Sequence, residues 1–99
     1  MQSHYAERFD REMGCTETEW LGWLPAAMGD VSWQQKPSGV HAQVEQGQLD
    51  ISWHVAEPRS IALFRIPRLI VSFKFQGLSD AQRYTFMKRF DLYMQRGGG

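Results

Sequence analysis

The hydrophobic pattern of this chain changes its period twice. Apolar residues recur at helical spacing in residues 16–28 and 80–96, where every third or fourth residue of an amphipathic helix lies on one face. Between these segments, in residues 40–76, apolar and polar residues mostly alternate, which is the period of a β-strand with one buried face. The pattern predicts an antiparallel sheet combined with amphipathic helices.

Both long helices are predicted to begin with a capping box. Thr16 lies three residues before Glu19, and Ser79 lies three residues before Gln82. In this motif the hydroxyl of the first residue accepts a hydrogen bond from the backbone N–H of the fourth, whose side chain accepts one in return. Pro25 is expected to kink or break the first of these helices, because proline lacks the N–H of a helical hydrogen bond.

A shorter helix is predicted near the N-terminus. Tyr5, Phe9 and Met13 are four residues apart and would share one side of a helix over residues 4–13. A helix this short needs something to pack against, so the alternative is that residues 1–14 form a mobile tail. At the other end, residues 97–99 are three glycines, which are expected to end the last helix and form a flexible tail.

The alternating region predicts four strands, over residues 40–45, 49–55, 60–65 and 69–76, after a loop at 29–39. The segments Glu57-Pro58-Arg59 and Ile66-Pro67-Arg68 are expected to turn or end strands, because proline cannot donate to a strand ladder. The predicted fold is therefore α+β, a four-stranded antiparallel meander sheet with amphipathic helices packed on one face. Its element order is α-α-β-β-β-β-α, and residues 1–99 are expected to form a single domain.

In the first hairpin, Val44 is predicted to face Leu49 and Val40 to face Trp53. This arrangement buries Ile51 and Trp53 and exposes His54, since a shift by one residue would reverse every side chain.

The third predicted strand carries apolar residues on both faces. One set of alternating residues, Ala62, Phe64 and Ile66, is expected to face the helices. Ile61, Leu63 and Ile70 then face away from them. An apolar strip on a polar sheet face is typical of a contact surface. We interpret these three residues as an interaction surface, with coverage by the N-terminal segment as the alternative.

Charge is divided between the two parts of the chain. Residues 1–56 contain eight acidic and three basic residues, and residues 57–99 contain eight basic and three acidic ones. Such a division is typical of a docking surface or of self-complementary association. The candidates for anion binding are Arg59, Arg65, Arg68 and Lys74. The alternative is that these bases pair with acids of the same chain.

Three features are weaker candidates for chemistry. His41, Asp50 and His54 lie on the polar face of the predicted hairpin and offer a weak metal or acid–base site. Cys15 precedes a helix, which favours a reactive thiolate, although the nearby Glu17 and Glu19 oppose it. The Gly-Gly end is similar to the tails of ubiquitin-like modifiers and sulfur carriers, which implies a carrier role.

The sequence favours a small binding or accessory protein over an enzyme. We expect it to act through protein–protein association, with a second copy as a homodimer or with an acidic partner. A small-molecule or metal-dependent enzyme that uses the polar hairpin face is the alternative, and a Gly-tailed carrier is the second. Zero net charge does not favour nucleic acid, and no cofactor is expected. A single cysteine and the lack of a long apolar run predict a cytoplasmic protein without a membrane span.

Overall fold

The computed structural model describes residues 4–96 and has a mixed α+β fold, with two helices and a five-stranded antiparallel sheet. In chain order the elements are β1 (Arg8–Met13), α1 (Glu17–Met28), β2 (Ser32–Lys36), β3 (Gly39–Val44), β4 (Gly47–Ile61), β5 (Phe64–Gln76) and α2 (Asp80–Arg96). The strands lie in the order β1-β5-β4-β3-β2. The α+β class and the antiparallel sheet are confirmed, whereas the four-stranded α-α-β-β-β-β-α arrangement is wrong.

Both predicted capping boxes are present. The backbone N–H of Glu19 donates to Thr16 Oγ1 at 3.1 Å, and the N–H of Thr16 donates to Glu19 Oε1 at 2.9 Å. The same exchange joins Ser79 and Gln82, at 3.2 and 2.9 Å. α1 continues through Pro25 to Met28, so the proline does not break the helix.

The two helices pack on one face of the sheet around an aromatic core. The Trp20 ring of α1 meets Trp53 of β4 edge to face, with centroids 5.6 Å apart. From α2, the Phe90 ring meets Phe73 of β5 at 5.5 Å. Both contacts bury large apolar surface, which is the main source of stability in a domain of this size.

The N-terminal segment forms β1, an edge strand, and not the predicted helix. It pairs antiparallel with β5, from Arg8 opposite Lys74 to Met13 opposite Leu69. A spacing of four residues fits a strand as well as a helix, because four is a multiple of two and close to 3.6. Phe9 stacks on Phe73 at 4.9 Å and Met13 is buried, so this segment completes the core.

Two predictions about the first hairpin need correction. The predicted loop over residues 29–39 contains β2, which pairs with β3. In the β3–β4 hairpin, Val44 faces Gly47 and Ala42 faces Leu49, so the predicted register is wrong by two residues. A shift of two preserves the faces. Burial of Ile51 and Trp53 and exposure of His54 are therefore confirmed.

The third predicted strand is not a separate element. β4 runs through Pro58 to Ile61, the chain turns at Ala62 and Leu63, and β5 runs back through Pro67. Glu57 and Pro58 form an irregularity between the pairs Ala56–Arg68 and Arg59–Ile66. This ribbon lies beyond the pairing of β3 and of β1, where proline is tolerated because each strand has a free edge.

Candidate functional site

The ribbon formed by residues 56–68 of β4 and β5 projects from the sheet, and we call it the arm. β3 pairs with β4 as far as Ser52, and β1 pairs with β5 from Leu69 onward. The arm thus extends past both neighbouring strands. β4 alone spans about 45–50 Å at roughly 3.3 Å per residue, and the longest dimension of the molecule is 47 Å.

The tip of the arm exposes large apolar side chains. Leu63 is 98% exposed, Phe64 72% and Ile61 52%. Ile61 faces Phe64, and Arg59 faces Ile66, so these residues share one side of the ribbon. Ser60 and Arg65 form the pair on the other side. Exposed apolar residues grouped in this way are typical of a contact surface.

The predicted interaction surface is only partly brought together. Ile61 and Leu63 lie at the arm tip, while Ile70 is half-buried on the helix-free face of the main sheet. Ala62, Phe64 and Ile66 were expected to face the helices. Instead Ala62 occupies the turn with a φ of 52°, and Phe64 and Ile66 are exposed.

The alternative was that the N-terminal segment covers this surface. The described residues of that segment do not cover the arm tip. Tyr5 and Met13 belong to the core on the helix side, and Phe9 packs against that core. The segment therefore lies away from the arm tip.

An ion-pair network lies at the base of the arm. Glu12 of β1 accepts from Arg68 Nε at 2.8 Å and from Arg59 Nη2 at 3.1 Å. Arg68 also donates to the backbone carbonyl of Glu57 at 3.1 Å. Single surface ion pairs contribute little stability. The shared carboxylate of Glu12 nevertheless links the base of the arm to β1 of the main sheet.

The candidate anion-binding residues do not converge on one site. Arg59 and Arg68 pair with Glu12, an acid of the same chain. Arg65 is exposed on the arm, and Lys74 lies in the main sheet between Asp50 and Arg8.

On the polar hairpin face, two of the three candidate side chains form a pair. His41 Nδ1 lies 2.7 Å from Asp50 Oδ1, because β3 and β4 place these residues directly opposite each other. His54 pairs with Ile70, further along β4. Within residues 4–96, no group of three or more His, Cys, Asp or Glu side chains is arranged to hold a metal ion.

The Cys15 thiol is enclosed in the core, with 1% of the residue exposed. Burial raises the pKa of this thiol, and the negative charge of Glu19 acts in the same direction. Both effects oppose formation of a reactive thiolate.

The carrier hypothesis depends on a tail at Gly97–Gly99, which lies outside the described residues. The sheet that precedes it is antiparallel at every neighbouring pair, and a long helix leads into the tail. β-Grasp carriers have a strand in that place.

A groove that the sequence did not indicate lies at the end of the molecule opposite the arm tip. It has a volume of about 650 Å³ and lies between the end of α1, the β3–β4 turn and α2. Its apolar wall includes Met28, Val44 and Phe86, and its acidic side chains are Asp30 and Glu45.

Arg89 fixes the α1 side of this groove. Its Nη1 donates to the carbonyls of Ala26 and Ala27 at 3.2 and 3.0 Å, and its guanidinium lies 4.4 Å from the centre of the Tyr93 ring. A side chain at Gly29 would collide with this guanidinium. Arg89 is thus directed at the last carbonyls of α1, where a positive charge is favourable.

The sequence contained a partial signal for the arm. Residues 61–66, Ile-Ala-Leu-Phe-Arg-Ile, carry four large apolar side chains in six positions, more than a strand with one buried face can bury. That excess indicated that Ile61 and Leu63 would lie outside the core. It did not indicate the exposure of Phe64 and Ile66. The groove had no sequence signal, because its walls come from three separate segments.

Among residues 4–96, no helix has the length and apolar character needed to cross a membrane. Comparisons with protein-family models, with curated proteins and with solved structures find no match to this chain.

Proposed function

We propose that this protein acts through protein–protein association, with the arm as its docking element and a second copy of the chain as its partner. The observation that carries the proposal is the exposure of Leu63 and Phe64 at the end of a projecting ribbon. These side chains contribute nothing to the core of their own molecule.

Burial of the tip supplies a driving force for association. Each large apolar side chain removed from water contributes roughly 1.5–3 kcal/mol. Ile61, Leu63 and Phe64 together thus offer several kcal/mol before the entropic cost of association is subtracted. Central apolar anchors of this kind commonly dominate the energy of an interface.

The charge distribution supports a second copy as the partner. The arm carries three arginines and one glutamate, and the excess of acid lies in residues 1–56 of the same chain. Two copies of a neutral chain do not repel each other overall. They attract when the basic arm of one approaches an acidic region of the other.

The experiment is light scattering after size exclusion, over a range of protein concentrations and at low and high salt. Wild type is expected to associate as concentration rises, more weakly at high salt because exposed charges are screened. Leu63→Glu places a charge at the tip and is expected to remain monomeric. Leu92→Glu is the matched control, since Leu92 is an exposed leucine of α2 away from the arm.

Two outcomes would contradict the proposal. Wild type that is monomeric at every concentration would remove the second copy as partner, and binding of that monomer to anionic vesicles would assign the tip to a membrane surface. Equal association of Leu63→Glu and wild type would show that the contact lies elsewhere.

A further inference from the structure

We infer that the arm tip of one copy docks in the groove between α1, the β3–β4 turn and α2 of another copy. This inference rests on the proposed function, because it names the receiving surface for the same arm. It specifies an unlike contact, arm to groove, and not a contact between two arms.

The two surfaces lie at opposite ends of one molecule. Val44 ends β3 and Glu45 lies in the turn that leads into β4, whereas Ile61 ends β4 and Leu63 lies in the turn beyond it. A strand of this length separates them by about 45 Å. The arm cannot reach the groove of its own chain, so the contact can form only between copies.

Size and polarity agree between the two surfaces. The volume of about 650 Å³ falls in the range of sites that enclose a small ligand, which is large enough for the side chains of the tip. Val31 and Phe86, which are both half-buried, provide apolar lining for Leu63 and Phe64. Burial on both sides favours this contact.

Charges also agree at the edges of the contact. Asp30 and Glu45 line the groove, and Arg65 is exposed next to Phe64 in sequence, on the other side of the ribbon from Ile61 and Phe64. The positive charge in the groove, Arg89, is directed at the carbonyls of Ala26 and Ala27. The acids are thus the charges that an approaching arm meets, which favours an arginine-bearing partner.

An arm-to-groove contact has a consequence for assembly. Each copy offers one arm and one groove. Two copies can therefore exchange arms in a reciprocal pair with two-fold symmetry, or the same contact can repeat head to tail in a ring or an open chain. Mixing two defective variants therefore distinguishes it from arm-to-arm pairing. Leu63→Glu disrupts docking by the arm tip and leaves the groove unchanged. Thr85→Arg, at an exposed groove position on α2, blocks the groove and keeps the arm.

The inference predicts that each variant alone is monomeric at concentrations where wild type associates, and that an equimolar mixture forms dimers of one copy of each. Circular dichroism and thermal unfolding establish that both variants are folded. If wild type associates but the mixture stays monomeric, or if Thr85→Arg associates like wild type, the arm–groove contact is wrong while the proposed function stands. If wild type never associates, the proposed function itself fails.

A charge exchange gives a second measurement that does not depend on blocking the groove. Arg65→Glu and Glu45→Arg are each expected to weaken association about tenfold, and combining them in one chain is expected to restore most of the loss. Lys36→Glu, on the exposed edge strand β2, is the control for a simple change in net charge. Additive losses in the double variant would overturn the inference.

Discussion

The guanidinium of Arg83 and the backbone carbonyl of Tyr5 are joined by a hydrogen bond of 2.8 Å between Nε and the carbonyl oxygen. Arg83 is a charged residue of α2 that is buried, with 9% exposure. It also donates to the carbonyl of Leu78 at 2.8 Å and to Asp80 at 3.3 Å. This one side chain therefore ties the segment before β1 to the start of α2.

Arg83→Met should destabilise the protein by about 2 kcal/mol, because it leaves the carbonyls of Tyr5 and Leu78 without this donor while keeping most of the aliphatic packing. Urea denaturation gives the free energy of unfolding. Lys88→Met, on the exposed side of the same helix, is the control and should change it by less than about 0.5 kcal/mol. Equal losses would show that the Arg83 hydrogen bonds contribute nothing specific.

Phe90→Ala should cost about 3–5 kcal/mol and can unfold the protein, since Phe90 is fully buried and its removal loses both burial and packing. Leu92→Ala should cost less than about 1 kcal/mol, because Leu92 is 47% exposed. Chemical denaturation of both variants checks the orientation of α2. Similar losses would mean that the helix is rotated from the arrangement described above.

The stability contributed by Tyr5 should fall at high pH. Its hydroxyl donates to Asp91 Oδ2 at 2.8 Å. The pKa of Tyr5 is raised to about 12, with burial as the largest cause and this hydrogen bond as the next. An unfolded tyrosine has a pKa of about 10. The folded state holds the proton more tightly, so the contribution is complete below about pH 10 and is lost as the pH rises toward 12.

The measurement compares wild type with Tyr5→Phe, which cannot ionise at this position. Urea denaturation at about pH 9 and about pH 11.5 should show the advantage of wild type shrinking, by on the order of 2 kcal/mol across the full transition. The comparison cancels the ionisation of lysines and other tyrosines. A difference that stays constant over this range would contradict the raised pKa.

The Cys15 thiol should react slowly in the folded protein. Burial keeps reagents away from it, and its raised pKa leaves little thiolate near neutral pH. A disulfide-exchange reagent should therefore modify the native protein at least about a hundredfold more slowly than the urea-unfolded chain. Comparable rates in the two states would show that the thiol of Cys15 is accessible and reactive in the folded protein.

The sequence predicted the faces of the strands better than their register. Alternation over residues 40–53 and 69–75 placed the core residues correctly, because period two is set by the backbone, whereas the apolar residues between these ranges are largely exposed. The register depends on the turn, and Glu45 adopts a left-handed φ of 52° that closes the hairpin two residues earlier than expected. An alternating pattern is unchanged by a shift of two, so it could not reveal this difference.

Arg11 explains why β1 was missed. It lies between Phe9 and Met13 on the face that meets the helices, where an apolar residue would have signalled a strand. Its guanidinium is accommodated there by the Phe73 ring, at 5.2 Å, and by Asp91 Oδ1, at 2.6 Å. A half-buried cation with partners from β5 and α2 breaks the local pattern, and only the tertiary structure supplies the reason.

The sequence does not reveal the arm, because Pro58 and Pro67 predict strand ends. Each lies where its strand has a free edge, so the missing N–H costs no ladder hydrogen bond. The exposure of Phe64 and Ile66 follows from that projecting geometry.

The most direct measurement of the arm as a docking element is photo-cross-linking from its tip. A photoreactive benzoylphenylalanine in place of Leu63 is irradiated at a concentration where wild type associates, and the cross-linked peptides are identified by mass spectrometry. We expect a covalent dimer in which position 63 is joined to groove residues of the other copy, such as Val31 or Phe86. Cross-links that reach only the arm of the other copy, or monomers alone from a sample that light scattering shows to be associated, would contradict it.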